Sequence, residues 1–550
     1  MAIKIKFSAI NNWLERNKIA AFLLLFLICF VYFSWIQDSP YFRDPDSFYH
    51  IKMAQLINEK GIVYDFPYLN FTILKDGYID HHFLYHLYLA PFVRWLPPIV
   101  GAKFAHIILD SLVIITFFFL LNRLKVKGAF WYNFLLLFSE SFMFRLGLIK
   151  AQPLSLIIVF LSVFFIMRQK YWPLFFLAFI YVWTYDGWFL LLILAVVHML
   201  VNSFDSALLG GDNFINKMKI CFSSRRQRVK LVLVKFFKVL ISKNNLKLFS
   251  SVFFGLVLGV IVNPYFPKNL GFYWIHIVQI GLLNFQNKIG VGAEWYPYDA
   301  FKFIQNTYLP LILVIGALIL FFSYYKSFKV VVKYIFFLFI LFLIATIKAR
   351  RNIEYLVPFM VIFSALVYSG VMEFKKARTE LKHLKEILGK ILFSNRWIQL
   401  FITAILVSVF IVLAYYLPLK SKDNLSQGLH YNYLKNASDF LLKNSNQGDL
   451  VFNSDWDIFP ELFYHNSQNY YIVGLDATFM YLYDKGLYQK WWDITLGKRS
   501  DEAYLIIKND FKAKYVLVTP AHKEMIEMLN NNFHFLKVYG DDDAIIYKVL

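Results

Sequence analysis

A series of long apolar segments constrains this chain of 550 residues more than any other feature of its sequence. The segments 20–36 and 400–417, for example, are almost entirely apolar. A helix of about 20 apolar residues spans the hydrocarbon core of a bilayer. We therefore predict a mostly α-helical, polytopic membrane protein with about eleven transmembrane helices. The predicted spans lie near residues 18–36, 100–122, 128–143, 153–168, 172–184, 187–203, 249–265, 308–324, 330–347, 353–371 and 398–417.

The chain carries a formal charge of +21, but its basic residues are unevenly distributed. Residues 420–548 contain 14 basic and 17 acidic residues, so the excess of cations lies upstream of them. Much of this excess falls in the segments 205–247 and 373–396, which connect predicted spans. Because cytoplasmic loops of membrane proteins are rich in Lys and Arg, we place these segments and the N-terminus in the cytoplasm. The distribution indicates membrane-flanking loops and argues against a nucleic-acid surface.

With that orientation, two long segments and the C-terminal region lie outside the membrane. The external segments are residues 37–99 and 266–307, within a transmembrane domain that we assign to residues 1–418. The apolar run 83–96 is predicted to be a helix on the membrane surface. Residues 419–550 alternate strand-like and helical runs, which predicts a small external α/β domain. Its predicted strands are 450–453, 470–473, 515–518 and 545–549, and its predicted helices are 460–465 and 522–529.

Two consecutive arginines, Arg350 and Arg351, precede a predicted span on its external side. Arginines on this side run against the positive-inside bias and therefore need an anionic partner. A guanidinium stays charged and donates to two phosphate oxygens at once, so we predict that the pair binds the phosphate of a lipid-linked donor. The alternative is a pair that snorkels to lipid headgroups, with Glu354 one turn away as its partner.

An acidic pair, Asp44 and Asp46, follows the first predicted span. Carboxylates beside apolar walls at the membrane surface can hold a divalent cation or accept a proton from a reacting group. The alternative is that both carboxylates cap a short helix that begins near Ser47.

Three segments carry a resemblance to a known family. Residues 46–52, DSFYHIK, resemble the DPWFNYR segment of the catalytic subunit of oligosaccharyltransferase, a glycosyltransferase of the GT-C superfamily, and Asp46 matches its catalytic, metal-binding aspartate. Residues 291–297, VGAEWYP, are similar to the family's SVSEHQP, so Glu294 matches the glutamate that contacts the metal and the acceptor. Arg351 precedes Pro358 at the spacing of the family's arginine that binds the lipid-linked pyrophosphate.

Other family motifs are altered in this chain. Residues 454–459 read SDWDIF where the family has WWDYG, and only Trp456 and Asp457 match, which implies that these two contact the acceptor. The altered motif predicts that a peptide with an asparagine sequon is not the preferred acceptor. The family's second external loop carries a pair of metal-binding residues, whereas the corresponding stretch 145–153 has lost these carboxylates and contains Lys150. Lys150 would either replace the charge of a cation or assist the arginines at the phosphate.

The resemblance implies a divalent cation, Mg²⁺ or Mn²⁺, held by Asp46 and Glu294. Because the usual acidic pair is absent, His82, from the group that includes Asp80 and His81, is our candidate for a further ligand. These residues could equally belong to the interface of the surface helix, so the metal set stays open.

Together these residues predict a membrane glycosyltransferase that moves a sugar or oligosaccharide from a polyprenyl-phosphate-linked donor to a protein or glycan acceptor on the external face. Arg351, with Arg350 or Lys150, would neutralise the leaving phosphate, and Asp46 with Glu294 and Asp44 would orient or deprotonate the nucleophile. Two alternatives are a transporter or flippase of lipid-linked sugars and a non-catalytic subunit derived from a glycosyltransferase. A transporter is expected to carry ionisable residues deep in its spans, and Asp110 is the notable one here.

Overall fold

The computed structural model describes residues 7–208, 225–283, 285–374, 379 and 396–550. Of the segments predicted to face the cytoplasm, residues 209–224 and most of 375–395 lie outside the described residues. The described chain is mostly α-helical and contains a five-stranded sheet near its C-terminus.

Seven helices of the described residues are long and apolar enough to cross a membrane. Each coincides with a predicted span, because a continuous apolar run is the feature that both share. The shorter apolar helices Gln152–Met167 and Tyr171–Thr184 coincide with two further predictions, and the helix Arg396–Ser426 contains the predicted span 398–417. The polytopic membrane fold is therefore confirmed. The seven helices are Lys18–Gln37, Pro98–Arg123, Asp186–Leu208, Lys243–Ile261, Ala300–Ser323, Val330–Lys348 and Arg350–Val371.

The predicted span 128–143 is wrong as a single helix. The chain instead forms two short helices, Ala129–Leu137 and Glu140–Leu146, separated by Ser139 in an extended conformation. At about 1.5 Å per residue neither helix is long enough to cross a bilayer. The second helix carries Arg145, which lines the cavity described below.

The helix Arg350–Val371 lies at the centre of the transmembrane part. Its apolar window is 83% buried inside the protein, compared with 28% for both Lys18–Gln37 and Ala300–Ser323. It packs against Ala300–Ser323 and Val330–Lys348. The N-terminal end of this central helix carries both arginines and Glu354, so protein packing holds these charges in place.

Residues 37–99, the first segment predicted to be external, are organised around the helix Asp46–Lys60. This helix packs against Phe83–Trp95 and against Phe459–His465 of the C-terminal region. Phe83–Trp95 also packs against the span Pro98–Arg123, so one of its faces belongs to the protein core. The position of Phe83–Trp95 relative to the membrane surface stays a prediction.

The C-terminal region contains a mixed sheet. The described residues form the strands β1 (Tyr41–Phe42), β2 (Leu429–His430), β3 (Leu450–Asn453), β4 (Tyr470–Tyr471), β5 (Tyr515–Val518), β6 (Phe535–Gly540) and β7 (Ile545–Val549). The sheet has the order β4-β3-β5-β7-β6, in which β3 is parallel to β4 and β5, and β7 is antiparallel to β5 and β6. β3, β5 and β7 were predicted from the sequence, and β4 is shorter than its prediction. β6 was not predicted because it is an edge strand with exposed polar positions and weak apolar alternation.

The helices beside the sheet bury an apolar core that includes Phe452 and Val516 from strands and Met480, Trp491 and Met525 from helices. The two helices predicted in this region are present as Phe459–His465 and Lys523–Asn530. The remaining described α-helices are Phe7–Arg16, Leu74–Gly77, Arg225–Leu240, Lys268–Trp274, Lys435–Asn444, Ala477–Tyr483, Lys485–Thr495 and Ala503–Leu505.

Strands β1 and β2 connect the first external segment with the C-terminal region. They form an antiparallel pair, and Arg43 Nη2 donates a hydrogen bond to the Ser421 carbonyl oxygen at 2.6 Å. The helix Arg396–Ser426 runs past residue 418 without a break, so the division between two domains at residues 418 and 419 stays a prediction.

Candidate active site

A cavity of about 710 Å³ is lined by both segments that are predicted to be external, by the ends of several spans and by the C-terminal region. Every residue that the sequence predicts for the site lines this cavity, although the set comes from six separate positions along the chain. The geometry brings these residues together, and their individual roles stay predictions. They are Asp44, Asp46, His82, Lys150, Glu294, Arg350, Arg351, Trp456 and Asp457.

One part of the cavity wall, which we name the acidic corner, consists of Asp44, Asp46 and Lys150. Lys150 Nζ lies 2.5 Å from Asp44 Oδ2 and 2.6 Å from Asp46 Oδ2. Lys150 is buried, whereas the Asp46 side chain is 38% exposed. In the acidic corner, two carboxylates therefore share one ammonium group, and the carboxylate of Asp46 is the more accessible from the cavity.

The start of the helix Asp46–Lys60 positions these carboxylates. The helix begins directly after Pro45, whose fixed φ angle suits the entry into a helix. Ser47 Oγ donates a hydrogen bond to Asp44 Oδ1 at 2.8 Å. Among the described residues, no side chain caps this helix, so the alternative that Asp44 and Asp46 are capping residues is not supported.

Protonation differs between the members of the acidic corner. Burial raises the pKa of Asp46; Lys150 opposes this effect and Asp44 reinforces it, so the net direction is upward. Burial works against the charge of Lys150, but Asp44 and Asp46 outweigh it and raise the Lys150 pKa. Lys150 therefore stays protonated, and Asp46 is the group of the acidic corner best suited to accept a proton.

A second part of the wall, which we name the arginine corner, is a chain of alternating charges. Glu294 Oε2 accepts a hydrogen bond from Arg145 Nη1 at 2.6 Å, and Glu294 Oε1 lies 3.3 Å from Arg351 Nη1. Arg145 Nε also donates to Glu354 Oε2 at 2.8 Å. Partial burial opposes the ionisation of Glu294, but Arg351, Arg145 and Lys150 outweigh it and hold its pKa below the usual range. Glu294 is therefore an anion held by guanidinium groups and a poor proton acceptor.

Aromatic residues hold Arg351 at the cavity wall. Its Nη2 donates to the Tyr185 hydroxyl at 2.7 Å, and its guanidinium carbon lies 4.4 Å from the centroid of the Trp295 ring. Glu354, which the snorkelling alternative requires as a partner, pairs with Arg145 instead. Arg350 also lines the cavity, and within the described residues it forms no ion pair. The snorkelling alternative is thus not supported, and the Arg350 guanidinium is available to a ligand.

Trp456 and Asp457 line another part of the cavity, together with Asp476 and Phe479. They follow strand β3, which places them beyond the carboxyl end of this interior strand of the C-terminal sheet. Partial burial and the neighbouring Asp455 carboxylate raise the pKa of Asp457 to about 7. Asp455 in turn lies 3.3 Å from His522 Nε2. This part of the cavity joins an aromatic ring to a carboxylate that titrates near neutral pH.

The histidines of the first external segment form a hydrogen-bonded series. His86 Nδ1 lies 2.8 Å from Asp80 Oδ2, and its Nε2 lies 2.7 Å from His50 Nδ1. His82 lines the cavity and its ring stacks on Tyr185 with 5.7 Å between centroids. Burial lowers the pKa of both His50 and His82, so these rings are neutral near pH 7.

The predicted metal ligands do not fit a divalent cation in this arrangement. The Asp46 carboxylate is paired with Lys150, and Glu294 is paired with both Arg145 and Arg351. In the part of the chain that the structure describes, no group of three or more His, Cys, Asp or Glu side chains is placed to hold a metal ion. A metal set of Asp46, Glu294 and His82 therefore has no support from the geometry.

The cavity wall also includes Arg145, Tyr185, Trp295 and His276, which are absent from the set predicted by sequence. His276 Nδ1 lies 3.2 Å from Asp186 Oδ2, which ties the second external segment to the start of a span. Arg145 carries a signal in the sequence, because it is a lone arginine at the end of an apolar stretch. The aromatic residues carry none, since one residue in five of this chain is aromatic (20%).

The fold is that of the GT-C membrane glycosyltransferases. Solved structures with this fold match the chain over nearly its whole length, although no family model and no curated protein matches its sequence. The fold that the motif resemblance implies is therefore confirmed.

Three of these structures illustrate the likeness. Oligosaccharyltransferase AglB from Archaeoglobus fulgidus, in complex with an inhibitory peptide and a dolichol-phosphate, is 11% identical with a TM-score of 0.62, and the match covers 97% of this chain and 75% of that chain. The Archaeoglobus fulgidus oligosaccharyltransferase in complex with Zn and sulfate is 12% identical with a TM-score of 0.57, and the match covers 96% of this chain and 73% of that chain. ArnT from Cupriavidus metallidurans, bound to undecaprenyl phosphate, is 10% identical with a TM-score of 0.50, covering 96% and 97%. At identities this low, the structural match establishes only the fold, and the activity has to be argued from the site.

Proposed function

We propose that this chain is an integral-membrane glycosyltransferase that moves a sugar or oligosaccharide from a polyprenyl-phosphate or polyprenyl-pyrophosphate donor to an acceptor. The observation that carries the proposal is the meeting of Asp46, Glu294 and Arg351 in one cavity, from three distant parts of the chain. The complexes of AglB with dolichol-phosphate and of ArnT with undecaprenyl phosphate support a lipid-linked donor, because both proteins have this fold.

The donor phosphate binds at the arginine corner. Arg351 is oriented by Tyr185 and Trp295, and Arg350 stands next to it without an ionic partner among the described residues. Guanidinium groups form short, charge-assisted hydrogen bonds with phosphate oxygens and neutralise the charge that develops on the leaving group. Lys150, the third predicted phosphate ligand, is already neutralised by Asp44 and Asp46, so we assign phosphate binding to the arginines.

The acceptor reacts at the acidic corner. A hydroxyl or amide group of the acceptor attacks the anomeric carbon of the donor sugar and forms the new glycosidic bond. The bond between this carbon and the phosphate oxygen breaks, and its electron pair stays on the lipid phosphate. The acceptor's proton passes to Asp46, whose raised pKa and accessible side chain suit a general base. Glu294, held as an anion, orients the acceptor and keeps Arg351 in place.

Trp456 and Asp457 bind the rest of the acceptor. The indole ring offers an apolar face, and the carboxylate accepts hydrogen bonds from hydroxyl or amide groups. Because Asp455 and Phe459 occupy positions where the family motif has an aromatic residue and a glycine, a sequon peptide is not the preferred acceptor. Formation of a sequon-dependent glycopeptide by the purified protein would overturn this part of the proposal.

We also propose that the N-terminus is cytoplasmic and that residues 419–550 form an external domain. The positive-inside bias supports this orientation. The cavity supports it too, because it is lined by residues of both predicted external segments and of the C-terminal region.

The alternatives from the sequence receive less support. Asp110, the residue that favours a transporter, is buried 3.4 Å from His106 within its own helix and is not among the residues that line the cavity. A non-catalytic subunit has no need for an accessible carboxylate with a raised pKa beside a cationic wall.

Mass spectrometry of envelope glycoconjugates tests the proposed function. Cells that lack the chain are compared with cells that carry the wild type, Asp46→Asn or Glu59→Gln. Glu59 is the matched control, because it is an exposed carboxylate on the same helix as Asp46. We expect a glycoconjugate that is present with the wild type and Glu59→Gln and absent with Asp46→Asn. An identical glycoconjugate profile with and without the chain would refute the proposal.

A further inference from the structure

We propose that Lys150 stands in the place of the divalent cation in this site, so that the chain carries out its reaction without a metal ion. This role rests on the proposed glycosyl transfer for its catalytic meaning. The exclusion of a metal ion from the two carboxylates by the lysine can be tested directly, without donor or turnover.

The geometry at Lys150 is that of a bridging cation. Its Nζ lies 2.5 Å from an oxygen of Asp44 and 2.6 Å from an oxygen of Asp46. Hard divalent cations bind carboxylate oxygens at about 2.0–2.6 Å, so an ion shared by these two carboxylates would need the position that the ammonium group occupies. Ammonium and metal ion therefore exclude each other at this point.

The placement of Lys150 in the fold keeps the ammonium group there. The residue lies in the turn between the helices Glu140–Leu146 and Gln152–Met167, and it is buried with only 8% of its surface exposed. Removal of the ammonium from its partners would leave two carboxylates facing each other in a partly buried wall. The two carboxylates share one ammonium group and therefore lie close enough to repel each other strongly. The arrangement in which Lys150 bridges them is accordingly the stable one.

Glu294, the second carboxylate of the predicted metal set, is also paired with cations of the protein. Glu294 has Arg145 at 2.6 Å and Arg351 at 3.3 Å. Each of the three carboxylates Asp44, Asp46 and Glu294 thus has a partner within the protein. The cationic charge of this site is built into the chain.

A metal ion can orient a catalytic carboxylate and can neutralise a phosphate. In this site, different side chains perform these two tasks. Lys150 acts as a positioning residue, because it fixes the orientation of Asp46 and leaves the second oxygen of that carboxylate free for the acceptor's proton. The arginines, chiefly Arg351 and Arg350, neutralise the phosphate.

Titration of the purified full-length protein with Mn²⁺ alone, followed by electron paramagnetic resonance of the free ion, tests the exclusion. The variants are Lys150→Ala, the double variant Lys150→Ala/Asp46→Asn, and the control Lys302→Ala. Lys302 lines the same cavity but is exposed, and within the described chain it forms no ion pair with Asp44 or Asp46. We expect no Mn²⁺ bound to the wild type or to Lys302→Ala up to about 1 mM. Lys150→Ala gains one bound ion per protein, and the double variant loses it again.

Two results would overturn the proposal. One is a wild-type protein that binds one Mn²⁺ and loses it on Asp46→Asn. The other is a folded Lys150→Ala protein that binds none, since the freed carboxylates would then not form a cation site. If Lys150→Ala does not fold, the wild-type titration decides the question by itself. Because the titration needs no donor or turnover, its failure is distinguishable from failure of the proposed glycosyl transfer, which the glycoconjugate profile reports.

Discussion

The acidic corner and the arginine corner of the cavity both pair charged side chains with each other, but their net charges have opposite signs. In the acidic corner, Asp44 and Asp46 share the single ammonium of Lys150, which leaves the corner with a net negative charge. In the arginine corner, Arg145 and Arg351 share Glu294, with Glu354 as the second partner of Arg145. The neighbouring Arg350 then leaves that side of the cavity with a net positive charge.

This difference separates the two halves of a transfer reaction. A net negative corner favours the removal of a proton from an acceptor, and a net positive corner favours the build-up of charge on a leaving phosphate. Glu294 belongs to the arginine corner, and the cations of both corners, Arg351, Arg145 and Lys150, lower its pKa. The side chains of the protein therefore make the cavity negative where the acceptor would bind and positive where the donor would bind.

Replacement of Asp46 should have the largest effect on the acidic corner. Asp46→Asn keeps the size of the side chain but removes the proton acceptor, so we expect the transfer rate to fall by about 10²–10⁴-fold. The rate is measured with donor extracted from native membranes. Thermal stability should match that of the control Glu59→Gln, and an unchanged rate in a folded Asp46→Asn protein would exclude Asp46 as the base.

Replacement of Arg351 should break the arginine corner on the donor side. Charge-assisted hydrogen bonds contribute about 1.5–3 kcal/mol each, so Arg351→Ala should weaken the binding of a polyprenyl phosphate about 10- to 100-fold. Arg351→Lys should recover only part of this loss, because an ammonium group does not bind two phosphate oxygens side by side. Equal affinities of the wild type and Arg351→Ala in a competition assay would contradict the assignment.

Loss of Glu354 tests whether the arginine corner also stabilises the fold. Glu354→Gln leaves the buried Arg145 with Glu294 as its remaining anionic partner, and we expect a loss of about 1–3 kcal/mol in the free energy of unfolding. Thermal denaturation in detergent gives the measurement. Glu373→Gln is the matched control: its partner Lys127 is 3.8 Å away and both side chains are more than half exposed, so the expected change is near zero.

The pH dependence of acceptor binding should give the smallest effect. The Asp457 pKa of about 7 means that this carboxyl group is mostly neutral below that pH and mostly ionised above it. If the ionised form accepts hydrogen bonds from the acceptor, the acceptor's KM should fall a few-fold as the pH rises from about 6 to about 8. Asp457→Asn should abolish this change and leave the dependence of kcat on Asp46 intact. A KM that falls equally in Asp457→Asn would assign the titration to another group.

Much of the transmembrane fold was predictable, because the length of an apolar run is a property of the sequence alone. The failure at residues 128–143 has a physical reason: the run is apolar throughout, but the extended conformation of Ser139 divides it into two helices. Neither hydropathy nor cation bias reports such a break. Strand β6 was missed for a related reason, since an exposed edge strand lacks a regular apolar pattern.

The sequence named nine residues that line the cavity, but it did not predict their partners. Asp46, Glu294 and Arg351 stand out as charged residues beside spans, and the motif resemblance marks them again. That Lys150 would bridge the two aspartates, and that Arg145 would join Glu294 to Glu354, depends on contacts between residues that are distant in the chain. Local patterns carry no record of such contacts.

The sequence by itself determined that this chain resides in a membrane, and it predicted which charged groups lie at the membrane boundary. Hydrophobic length and charge bias are sufficient for both, because they reflect the transfer of each segment between water and lipid. Only the tertiary structure decided which cation neutralises which carboxylate. Pairing depends on distances of a few ångströms set by the packing of helices, and those distances determine whether the site has room for a metal ion or is already closed by a lysine.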